Sequence, residues 1–246
     1  MKDYRGVGRG YREALAPDQG EVSFQVVLEE SDLWIVARRN LSREIAEYLR
    51  GLRAELKSHI LLHPDFLASL APLDEPAAAP EVARRMYAAS RACNVGPMAA
   101  VAGTIAQMVC ERFVDASPDL IVENGGDIFL CSTRDRVVGL LAEPKSGARL
   151  GLRIPAREFP TSLCSSSGRI GHSLSLGRGD LVTVRADSGA LADAAATALC
   201  NLLKSARDLS RVLERAQELA EVGVLGVFAQ MGGQVGAWGQ VELVGL

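Results

Sequence analysis

The stretch Asp119-Leu120-Ile121-Val122-Glu123-Asn124-Gly125-Gly126-Asp127-Ile128-Phe129-Leu130 constrains this chain most. Two β-prone runs flank Asn124-Gly125-Gly126-Asp127. Asn-Gly accepts the positive φ angles of a tight turn, so the local reading is a β-hairpin. The paired glycines also leave backbone N–H groups uncovered by any Cβ, so a ligand can come close, with the Asp127 carboxylate at the bare spot. The alternative is an ordinary turn with a polar tip.

Elsewhere the chain alternates strand and helix signals. Residues 21–29 and 32–38 read as two strands of a hairpin, with Phe24, Val26 and Leu28 alternating against Ser23 and Gln25. After Ser42, the residues Ile45, Leu49, Leu52 and Leu56 recur at helical spacing, which predicts an amphipathic helix lying on a sheet. His59 and His63 are four apart at its end. They lack the glutamate of a zincin motif, and Pro64 opposes regular helix at His63. Residues 71–80 form a proline- and alanine-rich connector, read as a surface crossing inside one domain spanning residues 1–246. A helix resumes over 81–93.

A second helix is expected from Gly96-Pro97 to about Val114. Its first turns carry Ala99, Ala100, Ala102, Gly103 and Ala106. So little side chain implies either close packing or ligand approach, and the helix N-terminus at Gly96 favours an anion. Strands follow at 137–143 and 150–154. The segment 159–173 resists assignment, but its hydroxyls, with Ser167 and His172, can supply hydrogen bonds to a phosphorylated or heterocyclic ligand. A strand at 181–186 then leads into an alanine-rich helix on which Asp193 and Thr197 share a face. Both offer hard oxygens of the kind Mg²⁺ prefers. The other reading has Asp193 serving the helix dipole and Thr197 bonding back along the helix. From Val222 onward the only charged residue is Glu242, and Gly232-Gly233 divides the stretch into an expected hairpin, 224–229 and 235–244, that is either buried or at a subunit contact.

Global properties narrow the function. A net charge of −3 and 5% aromatic residues argue against a nucleic-acid surface. No uncharged apolar run reaches the ~20 residues of a membrane span. Five scattered cysteines without a C-x-x-C predict reduced thiols and a cytoplasmic protein. Residues 1–20 read as a mobile arm; the glycines at 6, 8 and 10 lack the strand and helix of a dinucleotide fingerprint.

Three separated stretches resemble one family, the ApbE-like flavin transferases. Asn94-Val95-Gly96-Pro97 and the small-residue helix resemble their "T-x-G-P" and "G-x-I-A-K-G" region. Val122 to Ile128 is similar to their "V-N-x-G-G-D-I" hairpin, and Val182 to Leu199 to their "S-V-T-V … A-D-A-x-A-T-A-L" strand and helix. Order and spacing agree over about residues 90–205. The resemblance implies a T-fold-like α+β architecture, antiparallel sheets with paired helices on one face. It implies Mg²⁺-dependent cleavage of FAD and passage of FMN to a threonine or serine of a target protein. Asp193, Thr197 and the Ala102 carbonyl would then be metal ligands. Gly96, Met98, Asn124, Gly125, Gly126, Asp127, Ser167 and His172 would line a flavin or other nucleotide site. Two departures stand out. Gly103 matches the family's lysine, and its "H-I-I-D-P-x-T-G" segment is reduced to Gly171-His172-Ser173-Leu174. The expectations are therefore a metal-assisted nucleotide transferase, a binding module that kept the cleft, or a homo-oligomeric (dimeric) assembly protein.

Overall fold

The expected hairpins assemble into one antiparallel sheet. The computed structural model describes residues 17–140, 150–168 and 179–246. Strands β1 (Val22–Leu28) and β2 (Ser31–Ala37) pair around a turn at Glu29, which adopts a positive φ of 54°. Helix α1 (Ser42–Leu62) buries Ile45, Leu49, Leu52 and Leu56, the predicted stripe. Just before the helix, the Asn40 side-chain oxygen accepts the Ser42 N–H at 2.9 Å. The helix stops before His63, as Pro64 requires. His59 contributes no metal site: it is buried, 3.0 Å from the Tyr87 hydroxyl and edge-on to Phe66.

A short helix α2 (Asp65–Ala68) precedes the connector, and α3 (Glu81–Cys93) follows it. Leu52, Leu56 and Phe66 share one core with Val82, Met86 and Tyr87, so residues on both sides of the connector pack together. A 3-10 turn, Pro97–Ala100, then feeds α4 (Val101–Phe113). Next come β3 (Leu120–Asn124), β4 (Asp127–Cys131), β5 (Arg136–Leu140), β6 (Leu150–Ile154), β7 (Thr161–Ser166) and β8 (Leu181–Ala186). The chain ends in α5 (Gly189–Leu202), α6 (Leu209–Glu218), β9 (Val224–Met231), β10 (Gln234–Gly239) and β11 (Glu242–Gly245).

Eight strands form one sheet in the order β1-β2-β3-β4-β7-β8-β9-β10, with every neighbour antiparallel. Helices cover one face. Val122, Phe129 and Cys131 meet Ile45, Ile105 and Val109 there. The other face carries a second sheet, β11-β6-β5. Ile121, Ile128, Leu130 and Leu163 pack on Val138, Leu152 and Ile154 from it. The α+β expectation with helices on one face holds, and the small sheet is the added layer. Burial on both faces explains why β3 and β4 are apolar almost throughout instead of alternating.

Three expectations need correction. Residues 17–20 do not belong to a free arm, because Asp18 Oδ2 accepts from Arg136 Nη1 at 2.9 Å and Glu21 pairs with the same guanidinium. Residues 1–16 lie outside the described set. The unassigned segment contains a central strand, β7, whose serines and Thr161 are almost all buried. The C-terminal stretch is not one hairpin: β10 pairs with β9 as an edge strand and is largely exposed, while β11 crosses to the small sheet. Gly239, at φ 77°, makes that break, where a Cβ would stand 2.3 Å from the Leu225 carbonyl oxygen. Among the described residues no single helix is long and apolar enough to cross a membrane.

Candidate functional site

The turn between β3 and β4 adopts the expected form. Gly125 and Gly126 have φ of 69° and 106°, and no atom lies within 4 Å of a Cβ built on either. Positive φ at both central residues suits a primed hairpin turn, and the peptide is left bare. Strand alternation then decides where the flanking side chains point. Val122 and Phe129 face the helices, so Asn124 and Asp127, two residues away on each strand, face them too.

Three distant pieces of chain meet on that side. Asn124 Nδ2 donates to the Ala102 carbonyl at 3.2 Å. The Gly103 N–H donates to Asp193 Oδ2 at 2.9 Å. The Ser165 N–H donates to Asp127 Oδ1 at 3.2 Å. Asp193 therefore serves the first turn of α4, satisfying an N–H that has no partner within its own helix. It belongs to α5, so the dipole it answers is its neighbour's rather than its own. Thr197 lies one turn on, partly exposed.

Gly103 answers the question posed by the small-residue helix. A Cβ on it would stand 2.2 Å from the Gly189 carbonyl oxygen, and one on Gly189 would stand 2.3 Å from the Gly103 oxygen. The two glycines permit a backbone-to-backbone crossing of α4 and α5. Gln107 completes it, its Oε1 accepting the Gly189 N–H at 2.8 Å. The missing side chains at the crossing make room for a helix. Gly96 is likewise taken up by packing, since its Cβ would lie 1.8 Å from the Ser69 carbonyl oxygen. Met98 packs on the helical core. Ser167 follows β7 directly, two residues beyond the Asp127 contact, and His172 lies outside the described residues.

The electrostatics reflect crowding of acids. Burial raises the Asp127 carboxyl to about 7, with the Ser165 N–H and the Cys164 thiol opposing it and Glu123 adding to it. Burial first, and the Asp127 charge second, push the Asp193 carboxyl well above the usual carboxylate range, against the Gly103 and Ala102 N–H groups. Cys164 feels both carboxylates, which push its thiol up further after burial. Asp127, buried, and Asp193, partly exposed, thus lie near enough for the Asp127 charge to raise Asp193. Two neighbouring residues escaped sequence reasoning. Glu123, which alternation turns to the opposite face of β3, is fully buried and accepts the Gly126 N–H at 2.6 Å, fixing the turn. Cys164 on β7 feels the charge of both acids. An acid directly before Asn-Gly-Gly was the available signal for Glu123.

The oxygen donors here suit a hard cation: two carboxylates, the Thr197 hydroxyl and the Ala102 carbonyl. The Asn124 amide occupies one lone pair of that carbonyl and leaves the other. No three His, Cys, Asp or Glu side chains among the described residues group to hold a metal. A cation here would keep water or take phosphate oxygens. A cavity of about 370 Å³ lies away from Asp127 and Asp193, lined by Gln107, Phe129, Cys131, Phe159 and Asp187 among others.

Comparison with known proteins agrees with this architecture. A family model described as AbpE bacteria matches residues 13–236. The UPF0280 protein MJ1526 of Methanocaldococcus jannaschii is 36% identical over 228 residues, 89% of this chain and 92% of the relative. The UPF0280 protein MK0206 of Methanopyrus kandleri is 41% identical over 203 residues, 81% of each. The fold is similar to the flavin transferase ApbE from Vibrio cholerae, with a TM-score of 0.52 and 13% identity, covering 89% of this chain and 97% of that one. It is also similar to the ApbE protein from Thermotoga maritima, with a TM-score of 0.56 and 13% identity, over 88% and 96%. At such identity the likeness concerns fold, and function must come from the site.

Proposed function

The chain belongs to the AbpE bacteria family, and from that premise we propose that it binds a flavin nucleotide, FAD or FMN, together with Mg²⁺ where the Asn124–Asp127 turn meets α4 and α5. The observation that carries this reading is the convergence of Asp127 and Asp193. Two carboxylates from separate elements face one space, each held by a backbone N–H. A buried like-charged pair is costly unless a proton or a cation joins it. Asp193, Asp127, Thr197 and the Ala102 carbonyl would hold the ion. Gly125 and Gly126, with no side chain to block approach, would admit the nucleotide at the turn, with Asn124 and Ser167 at its edges, and the resemblance adds His172.

Mg²⁺, when bound, supplies Lewis-acid stabilisation to a pyrophosphate undergoing nucleotidyl transfer. Asp193, Asp127, Thr197 and the Ala102 carbonyl would hold the ion beside the turn. A second reading, binding without transfer, is favoured by Gly103. That position matches a lysine in the resembling motif, and here its side-chain space is filled by the Gly189 backbone. We place the protein in the cytoplasm, where five free, buried cysteines would stay reduced, and as a homodimer through the exposed β10 edge.

Incubation with FAD and Mg²⁺, followed by chromatography, tests the reading. With a threonine-bearing peptide or water as acceptor of the FMN phosphoryl group, the transferase predicts AMP release that stops in EDTA. Binding without AMP identifies the module instead, and no binding of FAD, FMN or ATP with or without Mg²⁺ removes the nucleotide site. Light scattering tests the dimer, and a monomer rejects it.

A further inference from the structure

At the other end of α4 and β4 from the acidic site stand two sulfurs. Cys110 and Cys131 have their Sγ atoms 3.2 Å apart, and both are free thiols. Their surroundings differ. Cys110 is sealed in the core, and its S–H also reaches the Leu120 carbonyl at 3.3 Å. Cys131 lines the cavity of about 370 Å³, beside Phe129, Ser132 and Phe159. The thiol contact from Cys110 draws the Cys131 thiol below its ordinary value, against burial and Glu111. Burial pushes Cys110 well above it. One sulfur is thus suited to attack and faces a cavity, while its partner waits behind it.

We propose that Cys131 is a peroxide-reactive thiol and that Cys110 resolves its oxidation product as an intramolecular disulfide. The oxidant is hydrogen peroxide. The Cys131 thiolate attacks one peroxide oxygen, the O–O bond breaks, and hydroxide leaves with the electron pair; Cys131 becomes a sulfenic acid. The Cys110 sulfur then attacks the Cys131 sulfur. The S–S bond forms, the S–O bond breaks, and the Cys110 proton leaves with the hydroxyl as water. A disulfide bond is about 2.05 Å long, so the sulfurs must close by roughly 1 Å. That adjustment falls between a helix and a strand already in contact. The product staples α4 to β4, the elements that carry Gly103 and Asp127 at their opposite ends. The chemistry of the pair does not depend on what binds there.

The test treats the full chain, in EDTA, with a few equivalents of hydrogen peroxide, alkylates remaining thiols and maps peptides by mass. The expected product is a Cys110–Cys131 cross-linked peptide, reversed by dithiothreitol. It should form about tenfold faster than oxidation of Cys93, whose thiol is pushed up to about 12. Cys110→Ser should leave a Cys131 sulfenic acid that dimedone traps. Cys131→Ser should abolish the cross-link. The proposal is overturned if the wild-type pair stays reduced, or if Cys93, Cys164 or Cys200 oxidises as fast. The wild-type kinetics are decisive by themselves, so a variant that fails to fold does not remove the test.

Discussion

Asp127→Asn gives the sharpest thermodynamic consequence of the crowded acids. In the folded chain the Asp127 carboxyl titrates at about 7, whereas an unfolded aspartate titrates near 3.9. The folded pKa is the higher one, so the folded state holds the extra proton between those values. Stability is then full below pH ~4, falls as pH rises toward ~7 and levels off above. Three units at about 1.36 kcal/mol each set a ceiling of ~4 kcal/mol. Because the proton is shared with a coupled neighbour, ~2–4 kcal/mol is the expected range. The asparagine keeps an oxygen for the Ser165 N–H and cannot ionise. Urea unfolding of both proteins in EDTA, at pH 5 and pH 8, measures the difference. Asp119 and Glu21, whose carboxyls are lowered, act with the opposite sign and below about pH 4. Between pH 5 and pH 8 the stability of the variant relative to the wild type should rise by about 2–3 kcal/mol, because roughly 1.5 kcal/mol of the ceiling is already lost by pH 5. No such rise would refute the buried, charge-coupled placement of Asp127.

Gly103→Ala should destabilise by about 1–3 kcal/mol, because its Cβ meets Gly189 backbone, which cannot rotate away, and this outweighs the gain in helix propensity; an unchanged melting temperature would mean that α4 and α5 do not cross there. Asp119→Ala should cost about 3 kcal/mol, since Asp119 is buried against Arg38 and accepts the Thr133 N–H at 2.7 Å. A loss under about 1 kcal/mol would mark that network as solvent-compensated. Gln107→Leu should cost about 1 kcal/mol by leaving the Gly189 N–H without its acceptor, read from chemical denaturation.

What is legible in the chain is local. Leu49 and Leu52 announce α1, the glycines announce the 125–126 turn, and alternation in β1 announces its buried face. What is not legible lies in partners distant in sequence. Nothing near Asp193 says that it satisfies an N–H ninety residues earlier. Gly103 reads equally as close packing or as ligand approach until Gly189 is placed against it. The small sheet is hidden because β11 pairs with β6 across most of the C-terminal half. The apolar β3 and β4 carry its trace, since a strand covered on both faces loses its alternation. The run at 159–173 resists assignment because, over residues 161–166, serines and Thr161 fill a central strand, as with Ser162, whose hydroxyl donates to the Ile128 carbonyl at 2.8 Å.

Calorimetric titration of FAD into the protein with and without Mg²⁺, repeated on Asp193→Asn, tests the shared acidic site most directly. The account predicts Mg²⁺-dependent FAD binding in the wild type, weakened at least about tenfold, or 1.4 kcal/mol, in the variant. Equal FAD affinity for both proteins, unaffected by Mg²⁺, would contradict it.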